Sequence, residues 1–216
     1  MSRREIVVPG ELLAKNKESG ENTYRKGNSV FSKIYGFKEE REDYVEVLPA
    51  NIKYSPSNGD KVIGIVEDVN FNNWYLDINC PYDARLAVEQ HPTYIESGEL
   101  ESHLKIGDTV IVEVTEVDKD MNINVKMNEE GLKKIKEGRL IEISPSKVPR
   151  VIGKDASMIS MLKRESNCNI YVGQNGRIWI NGEREKAEKV KEAIKIIEEK
   201  AHTSGLTDKI KNFMQN

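Results

Sequence analysis

The spacing of apolar and polar residues changes character twice along the chain. Up to about residue 57, short β-rich runs (Ile6-Val7-Val8, Ser29-Val30-Phe31, Tyr44-Val45-Glu46-Val47-Leu48) are broken by Pro9, Gly10, Gly20, Gly27, Gly36, Pro49 and Pro56. This predicts a small all-β unit. After Asn58-Gly59-Asp60 the pattern becomes Val62, Gly64, Val66 and Asp68 alternating with Ile63, Ile65, Glu67 and Val69. A strand apolar on both faces at its start is expected where a sheet closes into a small barrel. Residues 73–78, 84–88, 109–118 and 122–127 supply four more strands, with turns at Ile106-Gly107-Asp108 and Lys119-Asp120-Met121. Five short strands in about seventy residues fit a five-stranded OB-fold barrel. Within 73–78, period two puts Trp74, Leu76 and Ile78 on the core face and leaves Tyr75 outward.

From about residue 138 the period changes again. Residues 139–144 read as a strand, 148–153 as a short helix, and 157–166 as a second helix with Met158, Ile159, Met161 and Leu162 as its apolar stripe. A hairpin around Gln174-Asn175-Gly176 follows, Asn-Gly being a strong tight-turn signal. In the last long helix Ala187, Val190, Ala193, Ile194 and Ile197 recur at helical spacing, while six acids and six bases between Glu183 and Lys200 make the other face a solvated charge lattice. The order β-α-α-β-β-α, with a glycine-containing loop between its first two helices, is that of a eukaryotic-type KH module, an α+β fold. The expected organisation is multidomain: an all-β N-terminal domain over residues 1–57, an OB-fold barrel over 58–128 and a KH domain over 138–216.

Composition narrows the chemistry. The 216 residues carry 33 Lys and Arg against 36 Asp and Glu, a net charge of −3, so any nucleic-acid binding must use local basic patches or a more basic partner. Cys80 and Cys168 are far apart, and His91, His103 and His202 form no i, i+4 pair, so neither a disulfide framework nor a metal site is expected, and no cofactor. The apolar run near the start is cut by Pro9 and Gly10, and no long apolar stretch follows, which reads as a cytoplasmic chain with no membrane segment. Acids are dispersed, no GK[ST] phosphate loop occurs and no nucleophile–base pair has local support, so no catalytic arrangement emerges.

Two stretches are suited to RNA. Where two short helices meet at a Gly-x-x-Gly turn, the backbone can approach a sugar-phosphate chain. Here the turn is Gly153-Lys154-Asp155-Ala156: Gly153 is present, Lys154 can meet a phosphate, Asp155 opposes one, and Arg150 stands just before. Six bases and two acids lie between Arg139 and Arg164. Ala156 is read as the first turn of the second helix, where alanine is favoured over glycine by about 1 kcal/mol; a left-handed backbone there would instead cost roughly 1–2 kcal/mol. On the barrel, Phe71 and Tyr75 can stack single-stranded bases while Lys61 and Arg85 track phosphates, or the two rings cover the barrel mouth. Near the start, Tyr24–Lys33 holds Arg25, Lys26 and Lys33 with no acid, and reads equally as a contact to phosphate or acidic protein and as a solvated hairpin.

With VVPGELLA, TYRKGNSVFSKIYG, GDKVIGIVEDVNFNNWYLDINCPYDARL and PSKVPRVIGKDASMI in this order, the chain closely resembles the KH-containing cap subunits of the archaeal RNA exosome. The resemblance covers nearly the whole chain, and its specificity lies in the ordered triplet of N-terminal β domain, S-one-type OB barrel and single KH domain. It implies a non-catalytic subunit, three copies on a hexameric ring of RNase PH-like subunits, that binds single-stranded RNA and guides its 3′ end to the ring's pore for 3′-to-5′ phosphorolysis. It implies RNA contacts at Lys61, Phe71, Tyr75 and Arg85 on the S-one surface and at Gly153 and Lys154 in the KH loop, with Ala156 departing from the usual second glycine. It makes the PGELL and TYRKGN runs ring contacts. A NusA-type transcription factor, which carries two KH domains, and a stand-alone RNA-binding protein are the alternatives.

Overall fold

The structure is a computed structural model; it describes residues 5–49, 54–96, 98–201 and 205–215, so His202 lies outside the described residues. The chain divides into two compact units, Met1–Ile52 and Lys53–Asn216.

The first unit is all β. Its strands are β1 (Glu5–Val7), β2 (Leu12–Lys15), β3 (Glu18–Ser19), β4 (Thr23–Lys26), β5 (Ser29–Ser32), β6 (Gly36–Glu40) and β7 (Tyr44–Pro49). They form two small sheets, ordered β1-β6-β7-β3 and β2-β5-β4. The alternation read from the sequence selects the core, where Val7, Leu13, Val30, Val45 and Val47 pack together. The buried hydroxyls of Thr23 and Ser32 are satisfied by the carbonyls of Gly20 and Ile34, as burial of a polar group requires.

The second unit begins with the barrel: β8 (Lys61–Val69), β9 (Asn73–Asp77), β10 (Ala84–Ala87), β11 (Thr109–Val117) and β12 (Ile123–Lys126). Strand order is β12-β10-β9-β8-β11, and β12 closes the circle by pairing parallel to β10 and antiparallel to β11. A short helix α1 (Leu100–His103) lies in the connection before β11, and β13 (Lys133–Ile135) adds a sixth strand on the outer edge of β11. Trp74, Leu76 and Ile78 are fully buried, and the Trp74 indole donates to the Leu104 carbonyl at 3.1 Å. His91 packs against Trp74 and His103; burial holds its imidazole below the ordinary histidine pKa.

The KH module follows as β14 (Arg139–Glu142), α2 (Val148–Ile152), α3 (Ser157–Ser166), β15 (Asn169–Val172), β16 (Arg177–Asn181), α4 (Arg184–Glu199) and α5 (Leu206–Gln215). Its sheet, ordered β14-β16-β15, is apolar on both faces. Ile170, Ile178 and Ile180 pack with the helices, whereas Leu140, Tyr171 and Trp179 pack on the barrel core. The sheet is therefore shared between two cores.

At the tip of the β15–β16 hairpin this sharing becomes a polar socket. Asn175 is fully buried; its amide Nδ2 donates to the carbonyls of Ile63 at 2.8 Å and Ile78 at 2.9 Å, and its Oδ1 accepts from the Ile63 N–H at 3.3 Å. Gln174 and Lys61 exchange hydrogen bonds of 2.7 and 3.0 Å. Arg177, 4% exposed, donates to the Asp77 carboxylate, to the Asp77 carbonyl at 2.6 Å and to Glu142 at 2.9 Å. Gly176 is required here: its φ is +83°, and a Cβ would meet the Ile143 carbonyl at 2.3 Å. Buried polar groups hold a joint only when all are paired, and among the described residues no buried side-chain N or O lacks a partner.

Candidate nucleic-acid interface

Strand pairing decides which of the sequence-predicted barrel residues meet. Tyr75 on β9 lies directly opposite Arg85 on β10, which lies opposite Asn124 on β12. Partners in register share a face, so the three form a row across the outside of the barrel. The Arg85 Nε donates to Asn124 Oδ1 at 3.1 Å, and Asn124 Nδ2 donates to Glu116 at 3.1 Å. This holds the guanidinium on the strand and leaves its terminal nitrogens outward. The Tyr75 hydroxyl accepts from Asn70 Nδ2 at 3.3 Å, fixing one edge of the ring.

Tyr75 and Arg85 line an open cleft of about 680 Å³ whose walls are the Pro81-Tyr82-Asp83 loop and the Asp120-Met121-Asn122 turn, with Ile123 and Asn124 at its base. Tyr82 is exposed. Two tyrosine rings, a methionine and a held cation in one open cleft can stack a base and meet a phosphate; Asp83 and Asp120 make it a poor site for a bare polyanion. Phe71, 71% exposed on the turn before β9, does not line this cleft. Lys61 lies at the other end of β8, seven residues and roughly 20 Å along the strand from the partner of Tyr75. It faces Glu113 at 3.7 Å beside the hairpin socket. The sequence reading missed Tyr82, Met121 and Asn122 because both turns read as connections; that an OB barrel gathers loops around one binding face was the available signal.

The KH loop departs from expectation at one point. Gly153 (φ 76°, ψ 169°) follows α2, then Asp155 (φ 50°, ψ 37°) and Ala156 (φ 58°, ψ 22°) are both left-handed before α3 begins at Ser157. Ala156 is not the first helical turn, as read from the sequence, but the left-handed residue before it. Positive φ at Gly153, Asp155 and Ala156 turns the chain between the two helices within four residues. Alanine pays the Cβ cost of roughly 1–2 kcal/mol that the usual glycine avoids. At Gly153 a Cβ would meet the Met158 N–H at 2.7 Å, so that glycine is obligatory. Lys154, Asp155, Ala156 and Arg150 are exposed. Of the six bases counted there, Arg139 pairs with Glu188 and Arg164 with Glu165. Lys147, Arg150, Lys154 and Lys163 make no ion pair among the described residues. The formal excess of basic residues therefore leaves four cations without an ion-pair partner among the described residues, available to meet phosphates.

Among the described residues, no group of three or more His, Cys, Asp or Glu is placed to hold a metal, and no helix is long and apolar enough to cross a membrane.

Comparison with known proteins agrees with this arrangement. Residues 4–51 match the family model described as the exosome RNA binding protein RRP4 N-terminal domain, and residues 138–186 match the KH domain. The chain is 47% identical over 214 residues to the exosome complex component Rrp4 of Methanosarcina mazei, covering 99% of this chain and 82% of that protein. It is 43% identical to the Rrp4 of Methanothermus fervidus, covering 99% and 96%. A crystal structure described as a "putative exosome complex RNA-binding protein" superposes with a TM-score of 0.69 at 40% identity, over 75% of this chain and 95% of that one. With both terminal modules matched and the full length aligned, the chain belongs to the Rrp4 family of exosome complex components.

Proposed function

We propose that the protein is the RNA-binding cap component of an archaeal-type exosome. It holds single-stranded RNA and directs the 3′ end into a ring of RNase PH-like subunits for 3′-to-5′ degradation, with three copies on each hexameric ring. Its own role is to bind and guide; the bond-breaking chemistry belongs to the ring. The observation that carries this reading is the row Tyr75–Arg85–Asn124 along an open cleft, in a chain aligned end to end with exosome components. Base stacking with one held cation suits a strand that must be gripped without regard to sequence and then released along its length. The KH loop supplies backbone contacts through Lys154, Arg150 and the approach at Gly153. Lys61 and Phe71 lie on the flanks of the strand's path.

The N-terminal unit supplies the ring contact. Ile6, Val8 and Leu12 are large apolar side chains left half exposed around the PGELL run, a grouping that favours a protein partner over RNA. The stacked Tyr24–Phe31 pair stiffens the TYRKGN hairpin next in sequence.

Mixing the chain with archaeal RNase PH-like subunits and measuring mass by size exclusion with light scattering tests the assembly. A nine-subunit particle that degrades RNA faster than the bare ring is expected; no association would leave a stand-alone RNA-binding protein. For the sites, replacing Arg85 or Lys154 by alanine should reduce the slope of log affinity against log salt by roughly one contact each. An unchanged slope would remove that residue from the RNA path.

A further inference from the structure

The hairpin socket joins the barrel, which carries the cleft, to the KH module, which carries the Gly153 loop. On the barrel side Arg177 grips Asp77, two residues along β9 from Tyr75. Residues two apart on a strand share a face and stand roughly 7 Å apart, so the anchor of the joint is the near neighbour of the cleft's tyrosine. On the KH side the buried tip closes the β15–β16 hairpin, and β15 is packed by α2, the helix that carries Arg150 and ends at Gly153. From cleft to loop the path runs through β9, the Arg177 and Asn175 hydrogen bonds, β15 and α2, with no flexible connection along it. The space in the socket is filled: a Cβ on Gly173 would meet the Ile63 N–H at 3.0 Å. Tyr171 closes the seam against the barrel, its phenol pushed up in pKa by burial and by Glu113.

We infer that the barrel cleft and the KH loop form one bipartite site of fixed spacing, selecting a continuous single strand long enough to reach both over shorter RNA. The inference rests on the RNA-binding reading above and adds a length requirement to it. Two sites held rigidly at a matched distance convert the second contact into an intramolecular one, and the gain appears only once the ligand spans the gap. The free cations Lys147, Arg150 and Lys154 then act on a strand already delivered to them by Tyr75 and Arg85.

The test is calorimetric titration of the full chain with oligouridylates of increasing length. Short oligomers should bind weakly at two per chain; beyond a threshold length the stoichiometry should fall to one and affinity rise by roughly 10²-fold. Lys154→Ala should weaken the long RNA by about tenfold and leave the tighter of the two short-RNA affinities unchanged. Arg177→Met should erase most of the long-RNA gain while both short-RNA affinities persist. Should that variant fail to fold, the stoichiometry switch and the Lys154→Ala result in the otherwise native protein decide the matter. Binding that strengthens smoothly with length, with two long strands per chain or no switch, would overturn the bipartite site while keeping the RNA reading. Absence of binding at every length would overturn both.

Discussion

Two tight, polar, glycine-containing turns in the KH module have opposite fates. In Gln174-Asn175-Gly176 the chain buries an amide side chain completely and pairs each of its polar atoms with backbone of the barrel. In Gly153-Lys154-Asp155-Ala156 the side chains stand in solvent, two non-glycine residues are left-handed, and the nearby cations have no acid opposite them. Polarity alone therefore does not mark a binding loop. What separates the turns is satisfaction: the first has its hydrogen-bonding partners inside the protein, and the second leaves its polar side chains without partners among the described residues.

The largest test of that contrast is Gly176→Ala. The left-handed φ and the Ile143 carbonyl standing where a Cβ would have to go leave no room for a methyl group, so a loss of roughly 3 kcal/mol or more is expected by urea denaturation. A silent substitution would mean that the turn does not close against Ile143 and Pro145 as described. Next, Asn175→Ala should cost about 2–3 kcal/mol, since buried backbone groups of Ile63 and Ile78 lose their partner. Were Asn175 an RNA contact instead, affinity would fall and stability would not. At the other turn, Gly153→Ala should destabilise by about 2 kcal/mol and weaken RNA binding together, because the same backbone approach serves both; loss of stability with affinity intact would take the loop off the RNA path. The smallest effect is Ala156→Gly. Relief of left-handed strain, offset by glycine's greater entropy when unfolded, should leave a gain of about 0.5–1 kcal/mol in unfolding free energy, read from the shift in denaturation midpoint. RNA affinity should change modestly and ring assembly not at all. A helical Ala156 would show as destabilisation by glycine, reversing the sign.

The barrel core and the KH element order were legible because they rest on periodicity: Trp74, Leu76 and Ile78 announce their face by spacing alone, and Met158, Ile159, Met161 and Leu162 do so at helical spacing. The socket was not legible. Asn175 and Arg177 find their partners about one hundred residues upstream, and nothing local distinguishes a polar turn that will be buried from one that will be solvated. Ala156 was misread for a related reason. Helix propensity describes a residue inside a helix, whereas its backbone here is set by the tight turn between two helices that begins at Gly153. Of the barrel candidates, Tyr75 and Arg85 come together through the β9–β10 register, which alternation alone does not set; Lys61 and Phe71 are separated from them by distance along β8 and by a turn.

The seated hairpin also sets where this protein can change length. An added residue between Gly173 and Gly176 would lift Asn175 off three backbone partners at once, so that turn is closed to insertion, peptide tags and domain grafting. The Asp120-Met121-Asn122 turn borders solvent, and its Asp118 carboxylate caps only local N–H groups and the Asn122 amide. Variation in length, and with it any retuning of what the cleft accepts, has room there without disturbing the alignment of the two modules.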